Sequence, residues 1–341
     1  MSTYLIIFIF CFASFFVNIF LTKLNYFPNY KGLKHQKFFG SKNIPLSGGI
    51  YLTVISLFLF QFYNYIFCLF ILSIFIIGFL SDINYLSSPR VRLLIQSILI
   101  GLFVYLLDIK IFPTKFILLD LLLENFYFKY LFSIFCLLIL INGSNFIDGL
   151  NGLMISYFTL IILLIFYLEY HNFLSLDQNL IINLILVLIY LFLLNINEKL
   201  FMGDSGSYVL SLICGYFLIK IYEFNQEISP FFIVLLLWYP CFENLFSIVR
   251  KSILKRSPMF ADNNHLHQLV FFILREKIKS KKISCNNLAS FLIIIYNLLV
   301  FALAMQNPNN TQFQILLILS NILIYLITYF KIFTLKYRIK L

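Results

Sequence analysis

Charge is what this sequence has least of. Charged residues make up 11% of its 341 positions, where a soluble domain carries roughly a quarter. Hydrophobic residues reach 62%, and no water-soluble globule could hide that much apolar surface. Paired cysteines are missing as well. Cys11, Cys68, Cys136, Cys214, Cys241 and Cys285 show no paired spacing, and most lie inside apolar runs, so neither a disulfide framework nor a thiolate metal site is expected. The first apolar run, 4–21, has no basic residue before it and no small-residue cleavage site after it. That argues against a removable signal peptide and for a retained first helix. No internal repeat, low-complexity linker or soluble segment interrupts the pattern, so 1–341 reads as one polytopic membrane domain.

What is present is a succession of apolar runs, each near the roughly 20 residues that a bilayer span requires. Spans are expected at 3–22, 44–62, 66–80, 91–107, 129–143, 152–169, 179–195, 205–222, 230–249, 287–305 and 312–332, which makes eleven helices of an all-α membrane protein. With the N-terminus outside, 21 of the 25 Lys and Arg fall on the inner side, in 23–43, 81–92, 196–204, 250–285 and 331–341. Lys110, Lys115, Lys129 and Lys220 are left for the outer side. Basic loops stay cytoplasmic, so these segments, with 143–151, are assigned to the cytoplasm. The net charge of +11 then reflects loops that face anionic lipid heads and substrates, with no nucleic acid implied. A weakly amphipathic stretch, 111–125, is expected outside, in the interface.

Carboxylates have no use against lipid, so their placement is informative. The outer acids sit in stretches without Gly or His patterns and read as solvated. The inner ones differ. Asp82 follows Gly78 at the end of the third span; Asp148 stands in Asn145-Phe146-Ile147-Asp148-Gly149-Leu150-Asn151-Gly152; Asp204 stands in Gly203-Asp204-Ser205-Gly206-Ser207; Asp262 precedes His265-Leu266-His267. Any one of these is most simply an ordinary turn, since Asp, Asn, Ser and Gly are the default turn formers. Their recurrence on one membrane face is what points to a shared site. Glycine lets backbone approach a phosphate, and Ser205 or Ser207 at the start of a span would offer a helix N-terminus that favours anions. Carboxylates beside such a site suit Mg²⁺, which takes one or two of them together with phosphate oxygens. His265 and His267, downstream of Arg250, Lys251, Lys255 and Arg256, form a cationic patch suited to a diphosphate. Two histidines at that spacing without a cysteine partner do not suggest zinc.

These blocks resemble, in order along most of the chain, the polyprenyl-phosphate N-acetylhexosamine-1-phosphate transferase family. Lys34-His35 with Pro45-Leu46-Ser47-Gly48-Gly49-Ile50 is similar to its first cytoplasmic loop, and Gly78-Phe79-Leu80-Ser81-Asp82 with Leu86, Arg92 and Gln96 to its second. Asn142, Asn145-Phe146, Asp148-Gly149, Asn151-Gly152-Leu153 and Phe201-Met202-Gly203-Asp204-Ser205-Gly206-Ser207 match the third and fourth. Arg250, Arg256-Ser257-Pro258, Phe260, Asp262, Asn264 and His265-Leu266-His267 look like the last. The chain departs from the pattern at four places. Ser81 replaces the first of two adjacent aspartates, Asn151 stands where many relatives have Asp, Gln268 stands where a further His is common, and 195–199 lacks a proline-rich approach. A longer basic second loop and a triple-His signature, typical of the peptidoglycan branch, are absent, which leaves the branch that starts O-antigen, capsule or related glycans.

The resemblance implies a multi-pass protein of the bacterial inner (plasma) membrane that transfers a sugar-1-phosphate from a UDP-sugar to polyprenyl (undecaprenyl) phosphate. It implies Mg²⁺, with Mn²⁺ as a substitute, and an active site built by the cytoplasmic loops. Asp204 is the expected principal metal ligand, with Asp82 as its partner or as an orienter of the lipid phosphate. Asp148 and Asn145 are assigned to the nucleotide, and His265, His267, Arg250 and Arg256 to the diphosphate; Asn151 and Lys199 complete the substrate-binding set. A homodimer is compatible with this reading. Two others stay open: a diverged member that serves as a scaffold, because the aspartate pair is incomplete, and a lipid or sugar transporter, whose polar groups would gather at midmembrane.

Overall fold

The computed structural model describes residues 3–24, 44–111, 113–170, 178–255, 257, 263–278 and 282–339. Every regular element among them is a helix: α1 (Thr3–Leu24), α2 (Gly48–Phe60), α3 (Tyr65–Asp82), α4 (Pro89–Leu106), α5 (Ile117–Leu123), α6 (Phe126–Ile147), α7 (Leu153–Tyr170), α8 (Gln178–Ile196), α9 (Gly203–Phe224), α10 (Pro230–Leu236), α11 (Trp238–Ile253), α12 (Leu266–Ile278), α13 (Lys282–Ala304) and α14 (Thr311–Ile339). Short polar punctuation starts them. Asn64 and Asn125 each accept two first-turn N–H groups through Oδ1. Pro89 and Pro230 open α4 and α10, where the missing N–H is not needed.

Among the described residues eight helices are long and apolar enough to cross a membrane, and nine if α10 and α11 are counted as one bent span. The other two expected spans, 44–62 and 152–169, appear as the shorter apolar helices α2 and α7, so helix length does not bear out a count of eleven. The 13 residues of α2 cover roughly 20 Å at 1.5 Å each, short of a hydrocarbon core of about 30 Å. Its expected first turn is instead a loop. The Gly48 N–H donates to the Phe201 carbonyl at 3.0 Å, and the Phe201 N–H donates to the Pro45 carbonyl at 2.9 Å. The expected interfacial stretch 111–125 forms only the two turns of α5.

The expected span 230–249 bends by 74° between α10 and α11. Pro240, in the first turn of α11, has no N–H to give to the Leu236 carbonyl, and the Tyr157 hydroxyl on α7 donates to that carbonyl instead, at 2.7 Å. The break therefore leaves no orphaned acceptor. It also lets α6 cross α11 closely, since a Cβ on Gly143 would run into the Pro240 carbonyl.

The axis of the bundle is α9, with 78% of its span buried, packed against α2, α3, α6 and α7. Close approach at its first turn depends on glycine: a Cβ on Gly78 would strike the Ser205 backbone. The ends of α3 and α6 and the start of α9 consequently meet at one end of the bundle.

Candidate active site

Gly203 opens α9 with φ +70°, a conformation that glycine adopts without strain. A side chain there would also collide with the Asp82 carboxylate. From this start three N–H groups point out of the helix, and carboxylates answer them. Asp82 Oδ1 accepts from the Asp204 N–H at 2.8 Å, and its Oδ2 accepts from the Ser205 N–H at 3.1 Å and the Ser205 hydroxyl at 2.7 Å. Asp148, just past the end of α6, accepts from the Gly203 N–H. Asp82 is thus an N-cap supplied from another helix, where negative charge meets the positive end of the α9 dipole.

Asp204 points the other way, and its Oδ2 accepts from the Ser81 hydroxyl at 2.6 Å and from Arg92 Nη1 at 2.8 Å. Arg92 also donates to the Ser81 hydroxyl, at 2.5 Å. Ser81, in the place of an expected aspartate, is the hinge of an Arg92–Ser81–Asp204 triangle. Both charged partners remain 22% exposed, open enough for the pair to be displaced. Around this node Asp148 is pushed well above the usual carboxylate range by burial and then by the charges of Asp204 and Asp82, with the Gly203 N–H opposing. Three acids facing one guanidinium leave an excess of negative charge that a cation would relieve.

Among the described residues no group of three or more His, Cys, Asp or Glu could hold a metal ion by protein ligands alone. The carboxylates nonetheless fit Mg²⁺ held with substrate oxygens. Asp204 Oδ1 takes part in neither of the bonds above, and Asp148 is an acid whose charged form burial and its neighbours disfavour until a cation offsets them. Asp82 differs from the expectation in one respect: both of its oxygens already serve the α9 N-terminus.

The expected anion site at Ser205 and Ser207 is overturned by the same contacts. Both serines are fully buried, the first N–H groups of α9 already have Asp82 and Asp148 as acceptors, and the Ser207 hydroxyl turns back to the Asp204 carbonyl at 3.1 Å. A helix N-terminus that already holds carboxylates has no room for a phosphate.

The other expected residues divide. Asn145, half-buried in the last turn of α6, lies beside Asp148, whose N–H donates to its carbonyl. Asn151 is buried. Its N–H donates to Asn286 Oδ1 at 2.7 Å and its side chain donates to Asn287 Oδ1 at 3.2 Å, so it ties the glycine turn to α13. Asn195, in the segment without prolines, links the two glycine turns: it accepts from the Gly152 N–H and donates to the Leu200 carbonyl. Lys199 is exposed, and its carbonyl accepts from Asn18 of α1. Arg250 is buried, with its guanidinium 3.4 Å from the Ser247 hydroxyl and over the Tyr329 ring. Lys34, His35, Arg256 and Asp262 lie outside the described residues.

The histidines are not a matched cationic pair. Their rings stack at 5.7 Å, but His267 is fully enclosed, neither of its ring nitrogens has a hydrogen-bond partner, and burial lowers its pKa to about 3. It is a neutral ring wedged against Gly149, beside Asp148. His265 packs on Phe146 with the rings tilted by 33°, and its Nδ1 lies 2.9 Å from Glu243. Gln268, where a further His is common in the family, accepts from the His265 N–H at 3.3 Å, one half of a capping box on α12. Sequence reasoning passed over Glu243, and it left Arg92 out of the site. A carboxylate within the expected span 230–249 was the signal for the first.

Comparison with known proteins agrees with this geometry. The chain is similar to the undecaprenyl-phosphate alpha-N-acetylglucosaminyl 1-phosphate transferase of Thermotoga maritima, with 24% identity over 230 residues, 66% of this chain and 67% of the relative. Residues 64–222, which contain Asp82, Asp148, Asp204, Ser81 and Arg92, match the profile of glycosyl transferase family 4. Through this stretch, a little under half of the chain, the likeness is to glycosyl transferase family 4, and the relative's name supports a likeness to the polyprenyl-phosphate hexosamine-1-phosphate transferases.

Proposed function

We propose that the protein transfers a sugar-1-phosphate, of the N-acetylhexosamine class, from a UDP-sugar to polyprenyl phosphate and releases UMP. The observation that carries this reading is the meeting of Asp82, Asp148 and Asp204 from the ends of three helices at one α9 N-terminus, with Arg92 beside them. An acid cluster of that kind suits phosphoryl transfer, which is catalysed mainly by positioning and by neutralising phosphate charge. The relative's name specifies undecaprenyl phosphate as acceptor, and the apolar helices suit a lipid substrate.

Asp204 and Asp148 would hold Mg²⁺, which when bound neutralises charge on the diphosphate. Asp82 holds the first turn of α9 in place, so that Asp204 projects to one side. Arg92, paired with Asp204 and still partly exposed, is a cation placed to meet the incoming phosphates. The acceptor phosphate needs no general base, being largely dianionic near neutrality with a second pKa of about 6. The basic-loop asymmetry supports a cytoplasmic setting for this end of the bundle, where nucleotide sugars are available.

The test is to incubate membranes containing the protein with Mg²⁺, polyprenyl phosphate and a panel of radiolabelled UDP-N-acetylhexosamines, then extract lipid. Labelled lipid with at least one donor is expected. If none forms with any donor, the transfer reading fails and a scaffold that has lost the reaction takes its place.

A further inference from the structure

Glu243 lies near the middle of α11 and is 1% exposed. A carboxylate sealed in apolar surroundings costs several kcal/mol of desolvation unless donors meet it. Two do. His265 Nδ1 stands 2.9 Å from Oε1, and the Tyr325 hydroxyl donates to Oε2 at 2.8 Å. Packing alone gives no reason for the acid, because its neighbours are aromatic: Phe242 meets the Tyr325 ring edge-on at 4.9 Å, and Trp238 meets it at 6.5 Å. An apolar residue would fill this position at lower cost. What the carboxylate adds is a fixed acceptor for one ring nitrogen.

An ionised carboxylate only accepts, so the proton between the two groups sits on His265 Nδ1. Nε2 is then turned away from Glu243. The ring has little freedom to rotate, because it packs on Phe146 at 5.2 Å, tilted by 33°, and stacks on His267 at 5.7 Å. Phe146 is two residues before Asp148, and His267 leans on Gly149. The His265 ring is therefore held next to the Asp148 turn.

We infer that Glu243, braced by Tyr325, is a positioning residue that fixes the tautomer and orientation of His265 so that Nε2 is presented to the phosphates of the nucleotide-sugar. The presentation to phosphate rests on the transfer reading; the fixing of the ring does not. Carboxylate–histidine pairs that orient a working imidazole follow the same physical logic.

The experiment has two arms on the full chain in detergent. In the first, histidine is labelled with ¹⁵N, and the signals of His265 are identified among the four histidines by their loss in His265→Asn. Wild type is expected to show a proton on Nδ1. Glu243→Gln keeps the volume and can still accept from Tyr325, but its amide donates to Nδ1, and the proton is expected on Nε2 alone. An unchanged His265 pattern in Glu243→Gln overturns the inference, whether or not the protein transfers sugar. In the second arm, Glu243→Gln is expected to lower kcat/KM by tenfold or more in the wild-type background and to have no further effect in His265→Asn. Equal losses in both backgrounds would mean that Glu243 only supports the fold, and would also overturn it. A wild type that makes no labelled lipid refutes the transfer reading and leaves the first arm to decide the role of Glu243.

Discussion

The two halves of the site are held together by different means. At the carboxylate node the partners of the acids are backbone N–H groups, the Ser81 and Ser205 hydroxyls and one arginine, all within 81–205. At the histidine end the partners are side chains drawn from α11 and α14, Glu243 and Tyr325, packed in an aromatic shell. Lys336 near the end of α14 adds bonds to the Asn263 carbonyl and to Asn264 Oδ1, at 2.7 and 2.8 Å. At 29 residues α14 runs roughly 44 Å at 1.5 Å per residue, beyond a core of about 30 Å, so its last turns can reach that loop. The node ties together helix ends far apart in sequence through backbone N–H groups, serine hydroxyls and an arginine, whereas the histidine end is held by side chains inside an aromatic shell. Substitutions at the node should therefore act on chemistry or on α9 itself, and those at the histidine end should act through orientation.

The largest effect is expected at Asp204. Asp204→Asn keeps the shape but removes the charge that faces Arg92 and would hold a cation, and transfer should fall by about 10²–10³-fold with expression preserved. Near wild-type turnover in the radiolabelled-lipid assay would remove Asp204 from its role. Asp82→Asn should also abolish most transfer, and it should lower thermal stability as well. An amide in place of a carboxylate that accepts at both oxygens turns an N–H toward a donor, a loss of about 2–3 kcal/mol. A fall in activity with no fall in the thermal midpoint in detergent would separate Asp82 from α9 and return it to the metal.

A smaller effect is expected at Ser81. Ser81→Ala removes one hydrogen bond to a carboxylate that keeps Arg92, so the loss should be about 1 kcal/mol, roughly fivefold in kcat/KM. Ser81→Asp sets a second negative charge within hydrogen-bond distance of Asp204, and a further loss rather than a gain is expected unless Arg92 screens both. A several-fold gain would show that the family's aspartate pair is merely incomplete here. The smallest effect is expected at Lys336→Ala. It should raise KM for the nucleotide-sugar a few-fold, consistent with about 1 kcal/mol of lost loop anchoring, and leave kcat unchanged. An equal fall in kcat would mean that α14 supports the reacting groups and not only the loop.

The amino-acid sequence by itself determined the all-helical membrane class, the positions of most helices and the five polar blocks. Those follow from local causes: apolar runs of span length, Asn and Pro at helix starts, and Gly-Asp turns, each readable within a few residues. It also contained Asp82, Asp148 and Asp204 as a set. Only the tertiary structure decided which acid does what. Asp82 caps a helix through a bond to a residue 122 positions away in sequence, Ser81 and Arg92 take hold of Asp204, and His267 loses its charge to burial. The same holds for Glu243, which in sequence is one acid in an apolar run and in the fold is the anchor of His265. Length leaves the count of eleven unconfirmed, because two of the expected spans form shorter apolar helices, and before α2 the residues pair with Phe201 in a loop. The reason is common to all of these: a residue's type and its local spacing set which bonds it is able to make, but which partner it meets is set by how distant helices pack.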